Sequence, residues 1–498
     1  PRPHRQGVTN KLASAANRLT PRMNMLRASL RTLARLPLLA YRSVRWRAGH
    51  WLPNYLLHHR PFDVRKLPTG IPIDIMVLIV DHYEPIRALK HPGEQEAGVA
   101  AEAVRDWCQA YKRIVSRYRD SDGRPPQYSW FYAADYVDFP ALQNLSVAAF
   151  EGLGEVEFHL HHGHDTEDTF SAKLHEGLDW FNRAGAMLTA EAEPRQRFAY
   201  VAGNWSLDNG TFDDSKSGCN TELGALRRAG CYADFTFPAL GSPAQPRKTN
   251  AIYYATDCPK PKSYDWGTDV TVGRPPSGDL MIFEGPLVID WRTGKFENGG
   301  LERDSPPSPD RLVPWLRANV HVRGRPEWVF VKAFSHGFQN WSTILGPGME
   351  TMLAAMVERW DCPPFRLHFV TAREAYNIVK AAEAGLSGNP NDYRDYLIPP
   401  PANRRVSCSS PWRLLTYSPD RVRLEVEGSR PVRIEFASRP LRSIAGKVRS
   451  LDLRFEQGKL AQLQFDGEED LEVMMAPGAV PVSVRPGSGS TEPLAVLG

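Results

Sequence analysis

The chain of 498 residues is 42% hydrophobic and 24% charged, which are ordinary values for a globular protein and exclude wholesale disorder. Its length predicts two or three domains. The net charge of +4 conceals an asymmetry, because residues 1–66 hold 14 Lys/Arg and one acidic residue while the remainder is net acidic. A net acidic body makes nucleic acid a poor partner, whereas the basic N-terminus suits an anionic membrane surface.

Residues 1–66 are predicted to form a basic, mostly helical arm. Apolar side chains recur at helical spacing at Met23, Leu26, Leu30 and Leu33, and arginines recur every four residues beside them. Such a helix either docks on the body with its arginines in solvent, which is the default, or lies on a membrane surface. The sequence shows no secretory signal and no apolar run near the roughly 20 residues that span a bilayer. Cytoplasmic and peripheral membrane locations both stay open.

Residues 67–387 are predicted to form the main α/β domain. The segment "IPIDIMVLIV" (71–80) is an almost continuous apolar run, typical of a strand that is buried on both faces. Strand-like runs then alternate with helical ones as far as residue 385. This alternation indicates an α/β barrel or a doubly wound sheet.

The C-terminal part of the chain has a different pattern. Residues 388–403 are rich in proline and are predicted to be a linker. Residues 404–480 alternate apolar and polar side chains with period two, which predicts a small antiparallel, β-sandwich-like module with a hairpin turn at "EQGK" (456–459). Residues 481–498 are predicted to be a tail.

Two acids and a histidine follow directly after the first buried strand, in "DHYE" (81–84). In α/β folds the carboxyl ends of the parallel strands face the active site. Acids at that place suit a metal ligand and a general base, for which Glu84 and Asp81 are the candidates. A polar loop that caps the next helix is the alternative interpretation.

Four histidines occur within six residues in "HLHHGH" (159–164). On a strand, Glu157, His159 and His161 share one face, opposite Val156, Phe158 and Leu160, and His164 in the following loop can curl back. Imidazole with carboxylate is a preferred environment for zinc or a similar divalent ion. A polar, pH-sensitive surface patch is the alternative.

A later histidine, His336, ends the apolar strand predicted at 328–334. A lone histidine is often a structural residue, but a strand end at the rim of an active site suits a proton donor. Both interpretations stay open from the residues alone.

In their order, these motifs resemble the polysaccharide deacetylase (NodB-like) superfamily. That family has an acidic motif at the end of its first strand, a strand that carries Glu and His with a second His soon after, and a later strand that ends in a lone His. The segments "IVDHYEP", "EVEFH" running on to His164, and "FVKAFSHG" are similar to these motifs, and the resemblance spans residues 70–385. Here Asp-x-x-Glu replaces the family's adjacent aspartates, and no two of the clustered histidines are four residues apart.

The resemblance implies a distorted (β/α) barrel and a divalent metal, zinc, that serves the hydrolysis of N-acetyl groups on a polysaccharide or oligosaccharide. The metal ligands that it implies are Glu84, His159, His161 and His164. Asp81 would accept the proton of the attacking water, and His336 would donate a proton to the departing amine. In the loop that shapes the family's pocket wall, the sugar-binding residues would be Asn204, Trp205 and Asp208.

Two other functions stay open at the level of the sequence. A glycoside hydrolase would pair Asp81 or Glu84 with Glu157 or Asp208 and would need no metal, but it leaves the histidines unexplained. A catalytically inactive carbohydrate-binding protein of a surface-polysaccharide pathway would explain the departures from the family's motifs.

Overall fold

The computed structural model describes residues 44–67, 69–88, 98, 100–291, 294–428, 430–476 and 484–486. The helix predicted around Met23 to Leu33 lies outside these residues, so its prediction stays untested. Within the described part of the chain, no helix combines the length and the apolar character needed to cross a bilayer.

The secondary structure is a series of strands and helices followed by strands alone. The described helices are α1 (Ala48–His58), α2 (Pro85–Ala88), α3 (Ala101–Val115), α4 (Phe139–Phe150), α5 (Glu167–Asn182), α6 (Glu222–Arg228), α7 (Leu312–Arg317), α8 (Trp341–Ile344), α9 (Pro347–Trp360) and α10 (Ala372–Glu383). The strands of the α/β part are β1 (Ile73–Tyr83), β2 (Tyr128–Ala133), β3 (Gly154–Leu160), β4 (Phe198–Ala202), β5 (Cys231–Asp234), β6 (Ala251–Ala255), β7 (Thr268–Asp269), β8 (Leu280–Glu284), β9 (Val288–Asp290), β10 (Lys295–Glu297), β11 (Trp328–Ser335) and β12 (Phe365–Phe369). The later strands are β13 (Val406–Cys408), β14 (Trp412–Tyr417), β15 (Arg421–Val426), β16 (Val432–Phe436), β17 (Leu441–Glu456), β18 (Lys459–Met475) and β19 (Val484–Pro486).

One mostly parallel sheet organises the α/β part. Strands β1 to β5 lie side by side in chain order, and helices connect them. Strand β11 pairs with one edge of β1, while β12 and then β2 pair with successive halves of its other edge. Every residue of β1 is buried, as expected for a central parallel strand. The prediction of a parallel α/β sheet with a separate antiparallel β module is confirmed.

The two faces of β1 belong to two different cores. Its odd-numbered side chains, such as Ile75 and Val77, pack with helices α3, α4 and α5, and we call this the outer face. Its even-numbered side chains, such as Met76, Leu78 and Val80, pack with the facing strands and with helix α10, and we call this the inner face. The alternation follows from the period of two in a strand.

The sheet curls around its inner face. The ammonium group of Lys332 on β11 donates to the carbonyl oxygens of Phe235 and Phe283, at 2.8 and 2.7 Å. Five strands separate β11 from β8 in the sheet, so this contact brings distant strands together. No ladder joins β8 to β11 among the described strands. The predicted barrel is therefore confirmed only as a curled, helix-connected sheet.

The antiparallel β module has its own apolar core and a long hairpin, β17–β18. Its turn matches the predicted "EQGK": Glu456 pairs with Lys459, and Gln457 and Gly458 have φ of 51° and 76°. Two positive φ values are the mark of a type I′ turn. Strand β19 pairs with β18 although it lies within the predicted tail.

The stretch predicted as a linker is packed against the α/β part. Arg394 is only 2% exposed, and its guanidinium group contacts the carboxylates of Glu374, Asp120 and Asp122. A proline-rich composition correctly indicated irregular backbone, but it could not show that buried side chains such as Arg394 anchor the segment to the α/β part.

Candidate metal centre and cleft

Strand parity brings the candidate ligands together. His82 and Glu84 have the inner-face parity of β1, and His159 and His161 have the inner-face parity of β3. Phe158 and its outer-face neighbours pack among the helices, as the sequence pattern predicted. The imidazole rings of His82 and His159 are 5.0 Å apart between centroids, and those of His159 and His161 are 4.5 Å apart.

Three of these side chains form a buried group that could bind a metal ion. Ligand atoms of His82, Glu84 and His159 all lie within 4.8 Å of one another. His161 joins them, because its Nε2 atom and the Nε2 atom of His159 each lie 3.2 Å from the same oxygen, Oε1 of Glu84. Ligands bound about 2.0–2.1 Å from a tetrahedral zinc ion are roughly 3.4 Å apart. The spacing of these donors therefore fits a divalent cation.

The hydrogen bonds of His159 give a second reason to place a cation here. Its Nδ1 atom lies 2.8 Å from the carbonyl oxygen of Val201, which can only accept, so Nδ1 carries a proton. Burial lowers the pKa of His159, which favours the neutral ring. A neutral ring protonated at Nδ1 turns the lone pair of Nε2 toward the carboxylate oxygen of Glu84. The lone pair of Nε2 and the negative oxygen of Glu84 repel each other, and a cation bound by both atoms removes this repulsion. Backbone carbonyls often orient metal-binding histidines in this way.

His161 is oriented by a second carboxylate. Its Nδ1 atom lies 3.1 Å from Oδ1 of Asp135, while its Nε2 atom faces Glu84. Burial alone would lower the pKa of His161, but the hydrogen bonds to Asp135 and Glu84 outweigh it and raise the pKa to about 8. The other oxygen of Glu84 accepts from Gln339 and lies 3.4 Å from Arg87. Carboxylate–histidine pairs of this kind support metal ligands in many proteins.

A histidine–carboxylate pair stands on the other side of His82. The ring of His336 lies 4.7 Å from that of His82, and its Nδ1 atom is 2.8 Å from Oε1 of Glu302. Burial alone would lower the pKa of His336, but the hydrogen bond to Glu302 raises it above its ordinary value. The side-chain amide of Asn340 donates to the second oxygen of Glu302. These contacts suit a group that donates a proton.

Two cavities border this cluster of imidazoles, one at His336 and the other at His161. One, of about 640 Å³, has Trp205, Phe334, Glu302 and His336 in its wall, and we call it the cleft. The other, of about 780 Å³, is lined among others by Asp135, His161, His164 and Asn204. Trp205 lines the cleft and Asn204 lines the other cavity, so the turn that these adjacent residues form lies between the two. Both have φ of 54°, which marks the turn as strained.

Asp81 occupies a different position from the one predicted for a proton acceptor. It has the outer-face parity of β1 and is fully buried, and its Oδ1 atom accepts from Ser335 Oγ and Gly337 N at 2.7 and 2.5 Å. Within the described chain, no hydrogen bond satisfies its Oδ2 atom. Asp81 therefore contacts the two residues on either side of His336 instead of facing the cleft, which corrects the prediction.

The structure separates His164 and Asp208 from the predicted site. His164 is exposed, and no ion pair or hydrogen bond joins its ring to Glu84 or His159 in the described part of the chain. Its φ of 55° turns the loop away from the strand direction. Asp208 is completely buried and accepts hydrogen bonds from both the backbone and the hydroxyl of Ser263, so it holds a turn and is not in the cleft wall. Of the predicted wall residues, Trp205 lies in the cleft and Asn204 in the neighbouring cavity.

Sequence reasoning missed three residues of the site. His82 was within the recognised motif, and its parity with Glu84 was a signal that could have identified it as a ligand. Asp135 follows β2 by two residues and so projects at a strand end beside β3. Glu302 comes from a Pro/Gly-rich stretch without regular structure, and no sequence pattern marked it.

Comparisons with known proteins leave the family of the chain open. No protein-family model matches the sequence, and no curated protein matches it. Among solved structures, the fold is similar to that of a Mycobacterium smegmatis protein named provisionally as a polysaccharide deacetylase, with 12% sequence identity and a TM-score of 0.35. That similarity covers 66% of this chain and 96% of the other.

Proposed function

We propose that this protein is a metal-dependent hydrolase that removes an acyl group, in the expected case N-acetyl, from a carbohydrate. The observation that carries the proposal is the buried group of His82, Glu84 and His159, with His161 on the same carboxylate oxygen. We propose zinc as the ion, because imidazole and carboxylate ligands in a compact, closely spaced set suit it.

A divalent cation held by these residues would polarise the carbonyl of an amide and activate a water molecule. The remaining tasks fall to the chain itself. We assign both proton transfers to His336, which would take the proton of the water and pass it to the departing amine, since Asp81 does not face the cleft. Glu302 orients the ring of His336 and stabilises its charged form.

The walls of the cleft support a sugar as the substrate. Trp205 and Phe334 offer aromatic faces, and the amides of Asn298 and Asn340 can bond to hydroxyl groups. A cleft that combines aromatic faces with a few polar groups is typical of small-molecule sites, and a sugar offers a ring face and hydroxyl groups to such walls. The size of the cleft, about 640 Å³, is in the ordinary range for a small ligand.

Most of the carboxyl groups that the glycoside hydrolase alternative requires are buried or already bound to other groups of the protein. Glu157 is buried and accepts from the hydroxyl of Tyr232 and the backbone of Ala199, while Asp208 holds a turn. Glu84 remains near the cleft, but two imidazoles occupy its oxygen. None of the pairs that the sequence proposed therefore places two free carboxyl groups across the cleft.

Elemental analysis and an acetate assay test the proposal together. We expect about one divalent ion per chain in the wild type and its loss in His159→Ala, while His175→Ala, which changes an exposed histidine on α5, keeps the ion. Acetate release from N-acetylated oligosaccharides should stop with a chelator and return with zinc. Activity that persists without metal would contradict the proposal, and bound metal with no acetate release would support the inactive carbohydrate-binding alternative.

A further inference from the structure

Helix α1 has one side fixed to the body and one side in solvent. Ala48, Trp51 and Tyr55 are buried and pack against Leu287 and Ile289 beside the sheet. These positions repeat at helical spacing, so the opposite side of the helix faces outward. Helix α1 follows the helix predicted around Met23 to Leu33, whose docking stays untested, and packing does not explain what the free side of α1 does.

The free side carries aliphatic side chains where a surface helix normally carries polar ones. Leu56 and Leu57 are 57% and 67% exposed, and Val64, after the helix, is 43% exposed. In the described part of the chain, five of the fourteen large hydrophobic side chains that are exposed lie within residues 44–71. Scattered apolar residues need no explanation, but a concentration of them marks an interaction surface.

The same segment is strongly basic. Residues 44–71 contain five Arg/Lys and a single acid, Asp63, which is paired with Arg65 at 2.9 Å. Arg60 and Lys66 are exposed between the aliphatic residues. The preceding 43 residues add nine Arg/Lys and no acid. We call the set Leu56, Leu57, Arg60, Val64 and Lys66 the docking surface.

We propose that the docking surface binds an anionic lipid bilayer, with its aliphatic side chains among the headgroups and its cations against lipid phosphates. Aliphatic residues flanked by Arg and Lys are the composition of interfacial segments. A second copy of the chain is a poor occupant, because a two-fold interface would bring like charges together. Nucleic acid suits it less well, because its apolar residues are aliphatic and offer no ring for bases to stack on.

The helix that carries part of this surface also packs against the wall of the cleft. Leu240 packs against the core of α1 and also lines the cleft. Binding of the docking surface to a bilayer would therefore keep the cleft close to that bilayer. The inference goes beyond the proposed hydrolase and does not depend on it.

Sedimentation of the full chain with lipid vesicles tests the proposal. We expect binding to vesicles of phosphatidylcholine with phosphatidylglycerol and little binding to phosphatidylcholine alone. The double change Leu56→Ser/Leu57→Ser should weaken the binding about tenfold, since it removes two inserted side chains. The control Val147→Ser/Leu397→Ser alters aliphatic residues that are 43% and 47% exposed and lie outside residues 44–71, and it should leave the binding unchanged. Arg60→Glu/Lys66→Glu should weaken it as well.

Circular dichroism of each variant separates lost binding from lost folding, since all of these residues are exposed. Wild-type binding by the leucine variant would overturn the proposal, because the basic arm would then suffice alone. Equal binding to neutral vesicles would also overturn it. So would a wild-type chain that ignores vesicles but binds RNA, or one that forms a dimer which the leucine variant abolishes.

Discussion

The Nδ1 atom of His336 lies 2.8 Å from Oε1 of Glu302, and this contact orients the ring and leaves Nε2 as the nitrogen available for proton transfer. Glu302→Gln keeps the shape of the side chain but removes its charge. We expect the kcat for acetate release to fall about 10- to 100-fold with little change in KM, because a less basic partner stabilises the charged imidazole less well.

Asp304→Asn is the matched control for that experiment. Asp304 lines the same cleft, but no hydrogen bond joins it to His336 in the described structure. It should keep kcat close to the wild-type value in the same steady-state assay. Equal losses in both variants would show that the negative charge of the cleft matters and that the pairing of Glu302 with His336 does not.

The two histidines on which sequence and structure disagree give a second prediction. His82→Ala should lose the bound ion, because His82 belongs to the buried donor group. His164→Ala should keep it, because His164 is exposed and apart from that group. Elemental analysis after dialysis against a weak chelator measures both. Retention in His82→Ala and loss in His164→Ala would restore the ligand set that the sequence predicted.

A third prediction concerns stability and pH, far from the cleft. His368 lies between Asp74 and Asp122, with ring nitrogens 2.8 and 2.6 Å from their oxygens. Burial alone would lower its pKa, but these hydrogen bonds raise it above the ordinary value of 6.5. The stability contributed by the charged ring is therefore complete below pH 6.5 and is lost as the pH rises through the higher pKa of the folded state.

His368→Gln should remove this dependence on pH and reduce the free energy of unfolding at pH 6 by about 1 to 3 kcal/mol, since it removes a charged hydrogen-bond partner from Asp74 and Asp122, which keep Arg366 and Arg394. Urea unfolding between pH 6 and 9 measures it, on the scale where one pKa unit is about 1.4 kcal/mol. His175→Gln, on the exposed side of α5, should change little. A pH profile of His368→Gln that parallels the wild type would contradict the assignment.

A fourth prediction concerns the contact between the β module and the α/β part. Gly185 has φ of 70°, and a Cβ atom there would lie 2.3 Å from the indole ring of Trp412. Gly185→Ala should lower the free energy of unfolding by about 2 kcal/mol or more, because backbone strain adds to the clash. Gly152 has φ of 86°, and a Cβ atom there would meet nothing within 4 Å. Gly152→Ala should therefore lower the free energy of unfolding only by the cost of the strained backbone. Similar losses in both would show that Trp412 simply moves aside.

Local periodicity predicted much of the fold, because alternation in a strand reads directly as two faces. The pattern of Val156 to His161 gave both the outer core and the inward imidazoles, and "EQGK" gave the hairpin turn. What periodicity could not give was tertiary proximity. Glu302 reaches His336 from an irregular segment, and the guanidinium group of Arg394 is buried by ion pairs that the composition of its segment does not reveal.

The candidate site was predicted in its location and only partly in its members. A run of histidines indicates a metal site, but the backbone conformation at each histidine decides whether its ring points into that site. His162 illustrates this, because it turns to the outer face, where it lies 3.1 Å from Asp165 and packs against Phe170. His164 was expected to curl back and instead follows a left-handed turn into solvent.

Asp81 and His82 are adjacent on β1, so they lie on opposite faces of the sheet. Which of them reaches the candidate metal centre therefore depends on the register of the strand. A single-codon insertion ahead of them, with the strand ladder kept in place, would swing the acid inward and bury the imidazole under the helices. The apolar side chains that precede them on β1 would exchange the inner and outer faces at the same time. An aspartate can therefore be placed on the inner face by substitution at position 82, but not by a shift of the strand register, because such a shift would also turn the apolar side chains of β1 to the wrong faces.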